Sequence, residues 1–256
     1  MSDMSEDQVL ILVSPEALAA EAADRFVSLA REAIATHGRF SVALSGGSTP
    51  EAMHRLLAEP PRKSQVDWAN VYVFWGDERF VPPDAPDSSR RMAEETLLNH
   101  VPIPAANVYP VPTVGLSPAA AARQYSRSLA NFFAPAAIRF DLIFLGMGTD
   151  GHTASLFPGQ TAVTQPDGQP VAVVMNAPKP PPIRLTFTYQ VINQAANVIF
   201  LVAGRDKAQT VAKVLAQACD SVQCPAAGVK LRNGRLLWLL DKEAAQALPP
   251  AIHPYP

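Results

Sequence analysis

Residues 140 to 159 read FDLIFLGMGTDGHTASLFPG, and the class of the fold follows from how this stretch is built. Leu142 to Leu145 is an apolar run without a polar residue, the pattern of a strand buried on both faces in a parallel sheet covered by helices. It ends in Gly146, Gly148 and Gly151, which carry Asp150 and His152 past the end of the strand. The carboxyl edge of such a sheet is where ligands bind.

The same test marks further buried strands at Val9 to Val13, Phe40 to Leu44, Val71 to Trp75, Val171 to Met175, Val198 to Ala203 and Leu236 to Leu240. Helical patterns lie between them. Ser14-Pro15-Glu16 opens a helix whose apolar stripe, Leu18, Ala22, Phe26, Leu29, Ala30 and Ile34, closes at Gly38. Met53, Leu56 and Leu57 follow a cap in which Ser48 and Glu51 have capping-box spacing. Asp87-Ser88-Ser89 caps a helix over residues 90 to 100, and Ser117-Pro118 opens one that runs to about Phe133. Residues 189 to 196, 208 to 218 and 242 to 248 read as shorter helices, Asn107 to Val111 as a short strand, and the end from Pro249 as irregular. Strands alternating with helices predict an α/β fold, a mostly parallel layered sheet with helices on both faces, as one domain over residues 1 to 256.

Composition excludes several classes. The net charge is −2 and no basic block exceeds two adjacent residues, so no nucleic-acid partner is expected. No apolar run reaches the roughly 18 residues of a membrane span, and the acidic start MSDMSEDQ is unlike a secretory signal. A cytoplasmic protein, without a membrane partner, is the expectation. Cys219 and Cys224 lack a second pair or a nearby histidine, so no metal site is expected and both are read as reduced thiols.

Four strand ends carry polar loops, SGGST, GDER, GMGTDGH and GRDK. Ser45-Gly46-Gly47-Ser48-Thr49 turns directly from a strand into a helix, a geometry that aims backbone N–H groups at an anion such as a phosphate. Gly76-Asp77-Glu78-Arg79 places charge at another strand end, and Asp77 and Arg79 are candidate substrate contacts. Three consecutive prolines after Lys179 make a stiff connector that holds Lys179 and Arg184. Gly204-Arg205-Asp206-Lys207 puts a cation in a first helical turn, where Lys207 either points to solvent or meets an anion. With parallel strands these loops share one edge, so Arg79, Arg184 and Lys207 converge on the glycine loop, beside Gly148, Asp150 and His152. His152 suits a general base whose tautomer a carboxylate such as Asp150 fixes. The other histidines, His37, His54, His100 and His253, look like ordinary surface or helix positions.

Gly146 to Gly151 also matches G-x-G-x-x-G, but Pro158 interrupts the helix that a dinucleotide site needs, and the next strand ends in Asn176 instead of an acid. A serine triad lacks its G-x-S-x-G elbow.

The segments SGGSTP, FWGDERFVP, FDLIFLGMGTDGHTASLFPG, APKPPPIRLTFT and GRDKA together resemble the 6-phosphogluconolactonase family, in the same order over nearly the whole chain. The resemblance implies a Rossmann-like fold shared with sugar-phosphate isomerases and deaminases. It implies no cofactor, and hydrolysis of 6-phospho-D-glucono-1,5-lactone in the oxidative pentose phosphate pathway. It makes His152 the general base with Asp150 its neighbour, and the SGGST loop, Arg79, Arg184 and Lys207 the phosphate-binding positions. A monomer is expected. One departure is Asp87-Ser88-Ser89, where the family often has Asp-Ser-Asn. The runner-up is a glucosamine-6-phosphate deaminase, whose pattern carries an acid where this chain has Phe157. A non-catalytic sugar-phosphate-binding module is the alternative outside enzymes.

Overall fold

The computed structural model describes residues 8–160 and 168–249. The chain opens with β1 (Gln8–Leu12) and α1 (Pro15–His37). The Ser14 hydroxyl accepts from the Ala17 amide at 3.3 Å and caps α1 at its start. Gly38 ends it at φ +82° with its N–H on the Ile34 carbonyl, a conformation that suits glycine. Then follow β2 (Phe40–Leu44), α2 (Ser48–Leu57), a short α3 (Arg62–Gln65), β3 (Val71–Trp75), β4 (Asp77–Arg79), α4 (Ser89–Thr96) and α5 (Pro118–Phe133). The second half holds β5 (Leu142–Gly146), β6 (Val171–Val174), β7 (Arg184–Phe187), α6 (Tyr189–Ile192), β8 (Asn197–Val202), α7 (Ala208–Leu215), β9 (Arg235–Asp241) and α8 (Lys242–Ala245). Among the described residues no helix is long and apolar enough to cross a membrane.

Six strands form one parallel sheet in the order β1-β9-β8-β5-β2-β3. All five residues of β2 are buried, so both faces of the sheet centre are covered, as its apolar run requires. Phe200 and Trp238 stack face to face on neighbouring strands with centroids 3.8 Å apart. From β2 the chain turns one way to β3, and from β5 the other way to β8 and β9. The order therefore reverses between β2 and β5. Their pairing is confined to Val42 with Leu142 and Ala43 with Ile143, and beyond it the loops diverge into a crevice.

The remaining strands depart from the expectation of one sheet. β4, β7 and β6 form a separate antiparallel sheet with β7 in the middle. The connector from Met175 to Ile183 is shorter than the dozen or so residues that a parallel crossover needs, so β6 and β7 can only pair antiparallel. Asp77 to Arg79, read as a charged loop, is the edge strand of this sheet. Gly76 is the joint between sheets: its N–H binds the Leu44 carbonyl at 3.0 Å and its carbonyl accepts from Phe187 at 2.7 Å. The buried Tyr125 hydroxyl locks the preceding residue, accepting from Trp75 N at 2.9 Å and donating to Trp75 O at 3.1 Å.

Local expectations also shift. The capping box does not form: Gly47, at φ +114°, is the N-cap of α2, and Glu51 pairs with Arg55 at 2.8 Å instead. Helix α4 stops at Thr96 because Leu97 turns fully into the core. Residues 105 to 111 make a 3-10 turn, Ala105–Asn107, and one bridge between Val73 and Val108 instead of a strand. The helix after Thr188 is a single turn, since the Asn193 side chain is tied to Lys230 N and Gly228 O. The irregular end predicted from Pro249 lies outside the described residues beyond position 249.

Candidate active site

A cavity of about 380 Å³ fills the crevice at the carboxyl ends of β2, β5 and β8, within the usual range of small-molecule sites. Ser45, Gly46, Gly47, Ser48, Thr49, Asp77, Arg79, Gly148, His152, Arg184 and Lys207 all line it. The four polar segments therefore meet as the parallel arrangement predicts. Asp150 stands behind His152 and is absent from the wall. A cleft of about 440 Å³ at the opposite end of the sheet, beside His37 and Asp141, contains none of these residues.

The glycine loop lines one part of the cavity. With Gly47 as N-cap, no cap side chain takes the first amides of α2, and Ser48 and Thr49 at this helix start line the cavity. Gly46 has no room for a side chain: a Cβ there would lie 2.6 Å from Ser89 Oγ and 3.9 Å from Arg79 Cζ. Ser89 thus packs closely against Gly46, with Arg79 nearby. Glu78, buried beside them, organises both. Its carboxylate accepts from the amides of Arg79, Ser89 and Arg90 at 2.8 Å each and from the Ser88 hydroxyl at 3.2 Å. Burial pushes its pKa up, against those amide hydrogen bonds and with the charge of Asp77 adding to the rise. Arg79 Nη1 donates to Asp87 O at 2.7 Å, which fixes its guanidinium at the rim.

His152 lines the same cavity. Its Nδ1 is 2.5 Å from Asp150 Oδ1, and its own amide donates to the same oxygen at 3.2 Å. Burial of Asp150 raises its pKa, but the hydrogen bond and charge of His152, with help from Lys179, outweigh it and bring the value to about 2. Gly148 faces the pair so closely that a Cβ would overlap the imidazole and sit 2.6 Å from Asp150 Oδ1. Phe157 packs on the imidazole with centroids 4.6 Å apart and is itself buried. Asp77 is held from behind by Ser155 Oγ at 2.7 Å.

His54 is a helix position, as expected, and is fully buried in α2. One sequence expectation is corrected. Cys219 and Cys224, read as free thiols, are joined in a disulfide. Asp220 turns the intervening segment by accepting from Val222 N and Gln223 N at 2.9 Å each, which brings the two Cα atoms to 6.0 Å. The reading also passed over residues that shape the site. Lys179 and Asp206 line the cavity, giving four cations, Arg79, Lys179, Arg184 and Lys207, against the carboxylates Asp77 and Asp206. Lys179 was legible as a cation on a stiff connector. Ser155, 78 positions from Asp77, carried no signal at all. Lys207 faces the cavity, and burial lowers its pKa, with the neighbouring charge of Lys179 acting in the same direction.

Fold and site together define an α/β protein in which a glycine-rich loop at the start of a helix and a histidine held by a carboxylate meet at one cleft. The chain belongs to the family of glucosamine-6-phosphate isomerases and 6-phosphogluconolactonases, whose pattern matches residues 13–238. A 6-phosphogluconolactonase from Synechocystis is 42% identical over 246 residues, covering 95% of this chain and 99% of that protein. The solved 6-phosphogluconolactonase from Trypanosoma brucei superposes with a TM-score of 0.84 at 31% identity, over 95% of this chain and 99% of its own. A monomeric glucosamine-6-phosphate deaminase shares the fold, with a TM-score of 0.79 at 21% identity over 94% of this chain and 99% of its own.

Proposed function

We propose that this protein hydrolyses 6-phospho-D-glucono-1,5-lactone to 6-phospho-D-gluconate, the lactone-opening step of the oxidative pentose phosphate pathway. The observation that carries this reading is that His152 and the Ser45 to Thr49 loop line the same cavity. The phosphate sits on the loop with Arg79 and Lys207, and the lactone carbonyl is presented to His152. The hydrogen bond to Asp150 leaves Nε2 as the base. Nε2 takes a proton from water as its oxygen adds to C1. The bond from C1 to the ring oxygen then breaks, and the proton returns to that oxygen. The new carboxylic acid ionises and releases one proton to solvent. General-base assistance of this kind contributes about 10²–10⁴ in rate.

Phosphate binding far from C1 orients the ester, so an unphosphorylated lactone loses rate as well as affinity. The deaminase reading needs an acid near the imidazole, and Phe157 occupies that place. No cofactor enters this mechanism, and we read the protein as a cytoplasmic monomer.

The test is proton release in a pH-stat with phosphorylated and unphosphorylated gluconolactone, for wild type and His152→Ala. Wild type is expected to open the phosphorylated lactone far faster than buffer does, and His152→Ala to lose about 10²–10⁴ of that rate. A wild-type rate equal to buffer overturns the reading.

A further inference from the structure

We propose that Lys179 is a further catalytic residue, the cation that meets the oxygen gaining charge at C1, and that Arg184 is the positioning residue that holds it there. This rests on the lactone hydrolysis proposed above.

The reaction needs donors for a developing oxyanion, and several nearby ones are engaged elsewhere. Gly148 N donates to His152 O at 2.9 Å and Gly151 N to Gly148 O at 3.0 Å, so these loop amides brace the loop itself. The amide of His152 is turned to Asp150. Arg184, although it lines the cavity, commits two of its nitrogens to backbone carbonyls. Nη2 donates to Lys179 O at 3.0 Å and Pro180 O at 3.3 Å, and Nε to Pro181 O at 3.1 Å. One buried guanidinium thus gathers three successive carbonyls of the proline strap. The Ala177 amide closes the strap on Pro182 O at 2.8 Å.

Arg184 is itself anchored. It belongs to β7, the middle strand of the antiparallel sheet, paired with Arg79 on one side and Val174 on the other. The proline strap has little freedom to lose, so the backbone of Lys179 is held rigidly at the cavity wall. Lys179 lines that wall together with His152 and Gly148. Its charge helps to lower the pKa of Asp150, and that of Lys207 as well. A cation beside a developing oxyanion contributes about 10²–10³ in kcat, and it afterwards faces the product carboxylate.

The competing role for Lys179 is the phosphate end, and kinetics separate the two. Lys179→Met, Arg79→Ala and wild type are compared in the pH-stat with the phosphorylated lactone, with inorganic phosphate as inhibitor. Lys179→Met is expected to lower kcat about 10²–10³-fold, to leave phosphate inhibition within about threefold of wild type, and to regain rate with added ethylammonium. Arg79→Ala is expected to weaken phosphate inhibition. Unchanged kcat in Lys179→Met, or phosphate inhibition weakened as in Arg79→Ala, overturns the assignment while the lactonase reading stands. A wild type without activity removes both. Arg184→Lys, checked for folding by circular dichroism, should lower kcat in the wild-type background and have little further effect on Lys179→Met. Additive losses refute positioning through Lys179.

Discussion

Asp150 holds His152 through Nδ1 at 2.5 Å, and the carboxylate rests behind the imidazole instead of in the cavity wall. Its effect on substrate therefore passes through the ring. With a pKa brought to about 2, by interactions with His152 that outweigh its burial, Asp150 is ionised at every working pH and can stabilise an imidazolium as it forms. Asp150→Asn keeps the shape but removes the charge. It is expected to lower kcat about 10²–10⁴-fold with KM changed little, and stopped assays at several substrate concentrations check this.

Gly148 is needed for room. A methyl group there would overlap the imidazole and crowd Asp150 Oδ1, so the pair cannot keep its hydrogen bond. Gly148→Ala should abolish most of the turnover, to about the level of His152→Ala, while the melting temperature falls by only a few degrees. Calorimetry beside kinetics decides it. A fully active Gly148→Ala protein would contradict this placement of the dyad.

The central strands were legible because a strand buried on both faces writes itself as an unbroken apolar run, as Leu142 to Leu145 and Phe40 to Leu44 do. The glycine loop and His152 were legible because a break in such a run has few structural uses. The antiparallel sheet was not, since Asp77, Glu78 and Arg79 look like a solvated charge run until Leu185 and Thr186 are found beside them. What makes Glu78 buriable is the amino end of α4, eleven and twelve positions on, and no local pattern announces that partnership. The support that Arg184 gives Lys179 is likewise backbone chemistry, invisible in residue identities.

Glu78 links the surroundings of the glycine loop to stability. Its four accepted hydrogen bonds leave no donor-compatible position, so Glu78→Gln would turn an amide group toward backbone N–H groups. The expected loss is on the order of 2–3 kcal/mol, from buried amides left without acceptors. Loosening α4 also frees Asp87, which holds Arg79, so KM for the phosphorylated lactone should rise while kcat changes less. Urea melts and initial rates on the same preparation test both halves.

His54 predicts how the fold responds to acid. Thr96 Oγ1 donates to Met92 O at 2.7 Å, so it can only accept from His54 Nδ1, 3.3 Å away, and the ring is the neutral Nδ1–H tautomer. Its Nε2 is buried without a partner among the described residues. Burial lowers its pKa from 6.5 to about 3. The unfolded chain therefore binds a proton below about pH 6.5 that the native protein refuses until about pH 3, and stability falls as pH drops through that window. Over the whole window the loss is on the order of a few kcal/mol. His54→Leu replaces the ring with an apolar side chain that takes no proton. Denaturant melts at pH 7 and pH 4 should show wild type losing more stability on acidification than His54→Leu, and equal losses would place the acid sensitivity in another group.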